Sequence, residues 1–278
     1  NAVEIKRGIG IATKEVVMGL EELSTEVSSA EEIRQVAKIS ANGDEVVGNL
    51  ISEAMDKVGR EGVITVEESN TADDELEIVE GMQFERGYLS PYFITNQQEM
   101  KVQLENPWIL LYDKKISSLK EIVKILEQAI ASDRPLLIIA EDIEGEALAG
   151  LIVNKARGTL SVAAVKAPEF GDRRTQCLED IAALTGGNLI SPSKGLKLDK
   201  VTTDDFGTAK LVTINNKYTT IIDGDGTEEA IKLRCEEIKT VIDNSTSDYD
   251  IEKSQERLAK LSGGVAILKV GAESELEL

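Results

Sequence analysis

The sequence predicts an α/β protein with a central parallel βαβ core flanked by further strands and helices, a domain that is inserted into a smaller α+β domain if the pieces on either side of it pack together. Three observations carry that prediction. Apolar runs alternate with segments of helical periodicity between residues 108 and 185, the pattern of βαβ crossovers. The runs are continuous, as in Leu136-Leu137-Ile138-Ile139, which suits strands covered on both faces. Glycines bracket the region, Gly81 on one side and Gly263-Gly264 on the other, and glycine reaches backbone angles closed to other residues.

Each element follows in order. Ile5, Ile9, Ala12, Val16, Leu20 and Leu23 recur at helical spacing. Asp44 is a good N-cap for a second helix through Val47, Leu50, Ile51, Ala54, Met55 and Val58, stopped at Gly59. Residues 63–66 and 76–79 read as strands, with the polar stretch 69–74 as the turn between them. Strands are then expected at 108–112, 135–140 and 161–166, and helices at 117–131, 144–157 and 173–185. Strands at 210–214 and 218–222, charged helices at 227–244 and 250–261, and an apolar strand at 265–270 complete the chain. If the pieces on either side of the glycines pack together, Gly81, Gly263 and Gly264 form either a hinge or a pair of ordinary turns.

Composition excludes several functions. The 278 residues are 41 % hydrophobic and 29 % charged, enough for one large core or two smaller ones. No apolar run approaches the roughly 20 residues of a membrane span. The amino end has no signal-peptide pattern, and Asn1 in place of Met suggests an excised or processed piece. The net charge of −20 argues against nucleic acid as a partner, because phosphate binding needs clustered Lys and Arg. Two distant cysteines, Cys177 and Cys235, predict neither a disulfide framework nor a zinc site. With no histidine, Ser-His-Asp and Cys-His nucleophile systems and imidazole metal sites are excluded.

Some stretches look chemical without meeting the requirements. Asp223-Gly224-Asp225-Gly226-Thr227 lacks the Lys-Ser/Thr ending of a phosphate loop and carries repelling aspartates, so it reads as a strand-to-helix turn capped by Thr227. Gly8-Ile9-Gly10 lies inside a helical pattern with no strand before it, which fails the context of a dinucleotide fingerprint. Glu141 and Asp142 end a strand, where parallel sheets place active sites. With Glu144, Glu146 and Asp225 nearby in pattern they offer a second reading, Mg²⁺-dependent phosphoryl transfer; acidic residues at a helix start, favoured by its dipole, account for 141–146 more simply. Lys166, Arg173 and Arg174 around 168–172 read as loop-stabilising, and no metal site is assigned. A structural scaffold is a third reading.

One helix departs from a simple amphipathic pattern. In 144–157, Ala147 and Leu151 define one side, Leu148 and Ile152 lie further round, and Val153 further still. That arc exceeds the stripe needed to pack on one sheet. Either the helix is buried on two sides or it presents apolar surface to solvent. The preceding helix has a cleaner face of Leu119, Ile122, Val123, Leu126 and Ile130, with a stripe broad enough to be shared between core and surface. Consecutive crossover helices lie side by side on one face of a sheet, so their outer flanks can form a groove for apolar segments of other proteins.

Several stretches carry a resemblance: Lys38-Ile39-Ser40-Ala41-Asn42, Ala54-Met55-Asp56-Lys57-Val58-Gly59, Val79-Glu80-Gly81-Met82-Gln83-Phe84 and Arg86-Gly87-Tyr88-Leu89-Ser90-Pro91-Tyr92-Phe93. To these add Gly145-Glu146-Ala147-Leu148, Val165-Lys166-Ala167-Pro168, Phe170-Gly171-Asp172-Arg173-Arg174 and Leu261-Ser262-Gly263-Gly264-Val265. The chain resembles the group I chaperonins, the bacterial and organellar type, over essentially its whole length. The resemblance implies that 1–22 ends an equatorial segment, 23–80 is ascending intermediate domain, 81–264 is the apical substrate-binding domain, and 265–278 begins the descending intermediate domain.

The same resemblance implies a function. An apical groove would grip non-native polypeptides and the lid co-chaperonin through Tyr88, Tyr92, Phe93, Val123, Leu126, Leu148, Ile152 and Val153, edged by Glu146 and Asn154. Gly81, Gly263 and Gly264 would form the upper hinge, and Arg86 and Glu275 an ion pair between subunits of a ring. Ile39 and Ser40 would approach the nucleotide. ATP and Mg²⁺ would bind the intact protein outside this segment, which would carry no catalytic residue of its own. Glu26 stands where the family pattern has proline, and Glu169 where it has glycine. Phe93-Ile94-Thr95-Asn96 with Met100 is nearer to plastid and cyanobacterial relatives, which favours the plastid stroma over a mitochondrial matrix or a bacterial cytoplasm. Neither nucleic acid nor a membrane is expected as a partner.

Overall fold

A computed structural model gives the architecture and describes residues 1–25, 27, 29–59, 62–68 and 74–271. In chain order the helices are α1 (Ala2–Leu23), α2 (Ala30–Ser40), α3 (Glu45–Val58), α4 (Val123–Ser132), α5 (Gly145–Ala156), α6 (Gly171–Thr185), α7 (Glu228–Asn244) and α8 (Asp248–Gly263). The strands are β1 (Val63–Glu68), β2 (Glu75–Val79), β3 (Gly81–Phe84), β4 (Val102–Glu105), β5 (Trp108–Ile116) and β6 (Leu136–Ile143). They continue with β7 (Val162–Lys166), β8 (Leu189–Ile190), β9 (Gly207–Ile214), β10 (Thr219–Gly224) and β11 (Val265–Val270). The architecture is α/β with mixed sheets, as the sequence predicts. The chain divides into two units, residues 1–53 and 54–278.

In the first unit, α1 starts where Asn1 Oδ1 accepts a hydrogen bond from Val3 N at 3.1 Å, and none of its residues is buried. α2 is not among the helices expected from the sequence, although its start is written plainly. Ser29 Oγ accepts from Glu32 N at 3.3 Å and Glu32 Oε2 accepts from Ser29 N at 3.0 Å, a reciprocal capping box. Asp44 caps α3 as expected, Oδ1 accepting from Val46 N at 2.8 Å and Val47 N at 3.2 Å. A Cβ at Gly48 would lie 3.1 Å from the Arg34 carbonyl oxygen, so α2 and α3 approach closely there.

In the second unit the described strands form two sheets. The smaller has the order β1-β11-β2, with β11 parallel to β1 and antiparallel to β2. β1 and β2 therefore do not pair with each other; the expected turn between them falls mostly in 69–73, outside the described residues. The larger sheet has eight strands along the path β3-β10-β9-β5-β6-β7, with β4 on β9 and β8 on β5. β5, β6 and β7 are parallel, the βαβ core read from the sequence. β5 and β6 are buried on both faces over Trp108–Tyr112 and Leu136–Ala140, which is why their apolar runs do not alternate.

The helix expected over 117–131 is instead a 3-10 turn, Leu119–Glu121, followed by α4. A 3-10 turn advances its side chains by a wider angle per residue than an α-helix, so the buried face rotates. Ile122, Ile125, Leu126 and Ala129 are inside, and Ile130 is 43 % exposed. The short strands β3 and β4 also escape the sequence reading, their partners β10 and β9 lying more than a hundred positions away. Among the described residues no helix is long and apolar enough to cross a membrane.

Candidate functional site

α5 is anchored at its start by the end of β5: Glu144 N donates to Ile116 O at 3.1 Å, and Ala147 N to Ser117 O at 3.1 Å. Gly145 adopts φ +59° to make the turn. Ala147 and Leu151 are completely buried. A Cβ at Gly150 would come within 2.7 Å of Leu119 Cδ1, so the Gly150 flank lies against the 3-10 turn that leads into α4. At about 100° per residue, Leu148 and Ile152 lie across the helix from Gly150. Both are half-buried at the margin of the main core, and Val153, on the outer side, is 44 % exposed. The structure lies between the two alternatives: 3-10 turns and the sheet cover much of the helix, Leu148 and Ile152 pack partly against the core, and Val153 is left exposed.

A 3-10 turn, Pro91–Phe93, packs against α5 and β7. Tyr92 on this turn is 73 % exposed. Tyr88 is half-buried, bridges Val165 of the edge strand β7, and donates its N–H to Asn215 O at 3.2 Å. Two residues assigned to the groove belong to the core. Phe93 is fully buried and Leu126 is 6 % exposed, so neither presents surface to a ligand in this conformation. Phe93 sits on the inward side of the 3-10 turn Pro91–Phe93, and Leu126 on the inward face of α4. Val123 is half-buried. Glu146 is exposed and accepts from Ser118 Oγ at 3.4 Å, whereas Asn154 turns its amide onto its own helix, Nδ2 donating to Gly150 O at 2.8 Å. The structure thus leaves Tyr92 and Val153 exposed and Leu148 and Ile152 half-buried in one region, with Glu146 at one end.

Lys155, which the sequence reading passes over, lies three residues after Ile152 and four after Leu151, on the same flank. It is half-buried, and burial lowers its amine below the usual lysine range.

The glycine pair and Gly81 lie where the two sheets meet. Val265 of β11 pairs with Val79 of β2, so the chain's passages into and out of the larger sheet run side by side. A Cβ at Gly81 would meet Ile221 O at 2.5 Å, one at Gly263 would meet Val58 O at 2.6 Å, and one at Gly264 (φ +70°) would meet Val79 O at 2.7 Å. Close backbone approach thus requires glycine at all three. Ile222, Val265 and Ile267 form an apolar cluster at this junction. Burial, with Glu228 and Asp223 nearby, raises the Glu80 carboxyl above its usual range.

The acidic residues of the phosphoryl-transfer reading are engaged elsewhere. Glu141 pairs with Arg174 at 3.1 Å, Asp142 with Lys166 at 2.8 Å, and Asp225 accepts from Thr208 Oγ1 at 3.0 Å. Thr227 caps α7 by accepting from Ala230 N at 3.2 Å, as expected of a strand-to-helix turn. Among the described residues no three metal-ligating side chains converge. Burial pushes the Cys177 thiol up to about 12 and raises Cys235, so neither suits nucleophilic chemistry. Arg86 donates Nε to Ala167 O at 3.3 Å and stacks over Phe170 at 5.3 Å; Glu275, its expected partner, lies outside the described residues, as does Glu26. Ile39 and Ser40 are exposed at the end of α2.

A model of the TCP-1/cpn60 chaperonin family matches residues 1–257.

Proposed function

The chain belongs to the TCP-1/cpn60 chaperonin family, and from that premise we propose that it captures non-native polypeptides on the apolar surface around α5. Membership makes polypeptides its substrates and other subunits its partners. The observation that carries the capture surface is the surplus on α5. Ala147 and Leu151 already satisfy the core, yet Leu148, Ile152 and Val153 remain partly open, beside a Tyr92 that is 73 % exposed. Unfolded chains display apolar side chains without a fixed shape, and an open apolar strip binds them by area removed from water, at about 25 cal/mol per Å².

The wider proposal is a group I chaperonin subunit, with residues 81–264 as the apical domain. The lid co-chaperonin would compete for the same strip. ATP and Mg²⁺, bound by a complete subunit, would drive rotation about Gly81 and Gly263-Gly264, hide the strip and release the client into a ring cavity. Arg86 and Glu275 would link neighbouring subunits before that rotation. The plastid stroma is the favoured compartment, with the mitochondrial matrix and the bacterial cytoplasm as the other two.

Photo-crosslinking tests the surface. A benzophenone side chain at Ile152 is expected to trap a reduced, unfolded polypeptide, whereas one at Lys217, in the turn between β9 and β10, is not. Equal trapping at both positions would contradict a localised capture surface.

A further inference from the structure

Leu148, Leu151, Ile152 and Lys155 are spaced seven, four and three residues from the lysine, which places them on one flank of α5. Leu151 is fully buried, and Leu148, Ile152 and Lys155 are half-buried. A half-buried lysine on such a flank covers apolar surface with its stem while its ammonium group seeks water. No carboxylate of the described residues pairs with it, whereas Lys166, Lys194, Arg234 and Arg257 each have one. The acid nearest it on its own helix is Glu146, nine positions and about 13 Å along the axis, beyond the screening length of roughly 8 Å at physiological salt. Burial alone accounts for the lowered basicity of the amine, with no carboxylate offsetting it.

We propose that Lys155 is a specificity-determining residue of the strip, selecting polypeptide segments that carry a carboxylate next to the apolar side chains seated on Leu148 and Ile152. This rests on the capture reading and narrows its substrate class. A half-desolvated ammonium group without a partner is a standing electrostatic cost, and a client carboxylate relieves it with a charge-assisted hydrogen bond. The surrounding molecule makes such a device useful. Its net charge of −20 repels acidic segments at long range, and one cation at the strip restores local attraction where the apolar contacts form.

Three labelled peptides test this, sharing one apolar core flanked by Glu, by Gln or by Lys. Fluorescence anisotropy would be read with the wild-type chain and with Lys155→Gln, Lys155→Arg and Lys155→Glu, each checked for native circular dichroism. The Glu peptide is expected to bind roughly two- to five-fold tighter than the Gln peptide, the range of a partly exposed ion pair. That preference should persist in Lys155→Arg, vanish in Lys155→Gln and invert in Lys155→Glu, with the affinity for the Gln peptide nearly constant. A Glu preference that survives Lys155→Gln, or equal binding of all three peptides by wild type, overturns the proposal and leaves capture standing. If folded wild type binds none of the three, the capture reading falls and the specificity falls with it.

Discussion

A single buried carboxylate ties together three helices of the larger unit. Asp180 on α6 is 1 % exposed and accepts from Arg234 Nε of α7 at 2.7 Å and from Arg257 of α8, Nε at 2.8 Å and Nη2 at 2.9 Å. Arg234 also reaches Glu179 at 3.0 Å and Glu237 at 2.8 Å. Removing one partner of a buried ion pair leaves the others uncompensated, at a cost of 3–5 kcal/mol. Here the arginines can relax toward water, so Asp180→Ala is expected to cost about 3 kcal/mol, read as a lowered urea midpoint with an unchanged slope. Nothing in the sequence singles out Asp180 among 51 acidic residues, because its importance comes from helices more than fifty positions away. Glu169 is the opposite case. The resemblance marks it as standing in for glycine, and the structure places it at φ +61°, an angle that costs a residue with a Cβ roughly 1 kcal/mol.

At the scale of elements, α5 was legible and its neighbours less so. Its apolar arc is too wide for one buried face, a property of the sequence that survives any packing. The choice between two-sided burial and an open strip was not legible, since it depends on where the turns 91–93 and 119–121 lie against the helix. The same dependence hid the burial of Phe93 and Leu126. For α2 the signal was present in Ser29 and Glu32, and only the helix's shortness and polar composition concealed it. The two flanks of α5 should separate stability from binding. Leu151→Ala opens a cavity in the core and is expected to cost 2–5 kcal/mol, whereas Leu148→Ala, at the margin, should cost less than half as much. Equal losses in chemical denaturation would mean that Leu148 belongs to the core.

At the scale of the whole molecule, the parallel core and the chaperonin family were readable from the sequence: β5, β6 and β7 pair in parallel, and the family match over residues 1–257 bears out the membership. The position of β11 between β1 and β2 was not, because its pairing joins positions about two hundred apart. The account places polypeptide capture on a strip of partly open apolar side chains at the margin of the buried core. Its most direct test is the binding of a fluorescent, unfolded, apolar polypeptide without ATP, comparing wild type with Leu148→Glu and Ile152→Glu. The account predicts micromolar binding by wild type, weakened at least tenfold, about 1.4 kcal/mol, in variants whose circular dichroism and urea midpoints stay close to native. Wild-type affinity retained in both folded variants would contradict it.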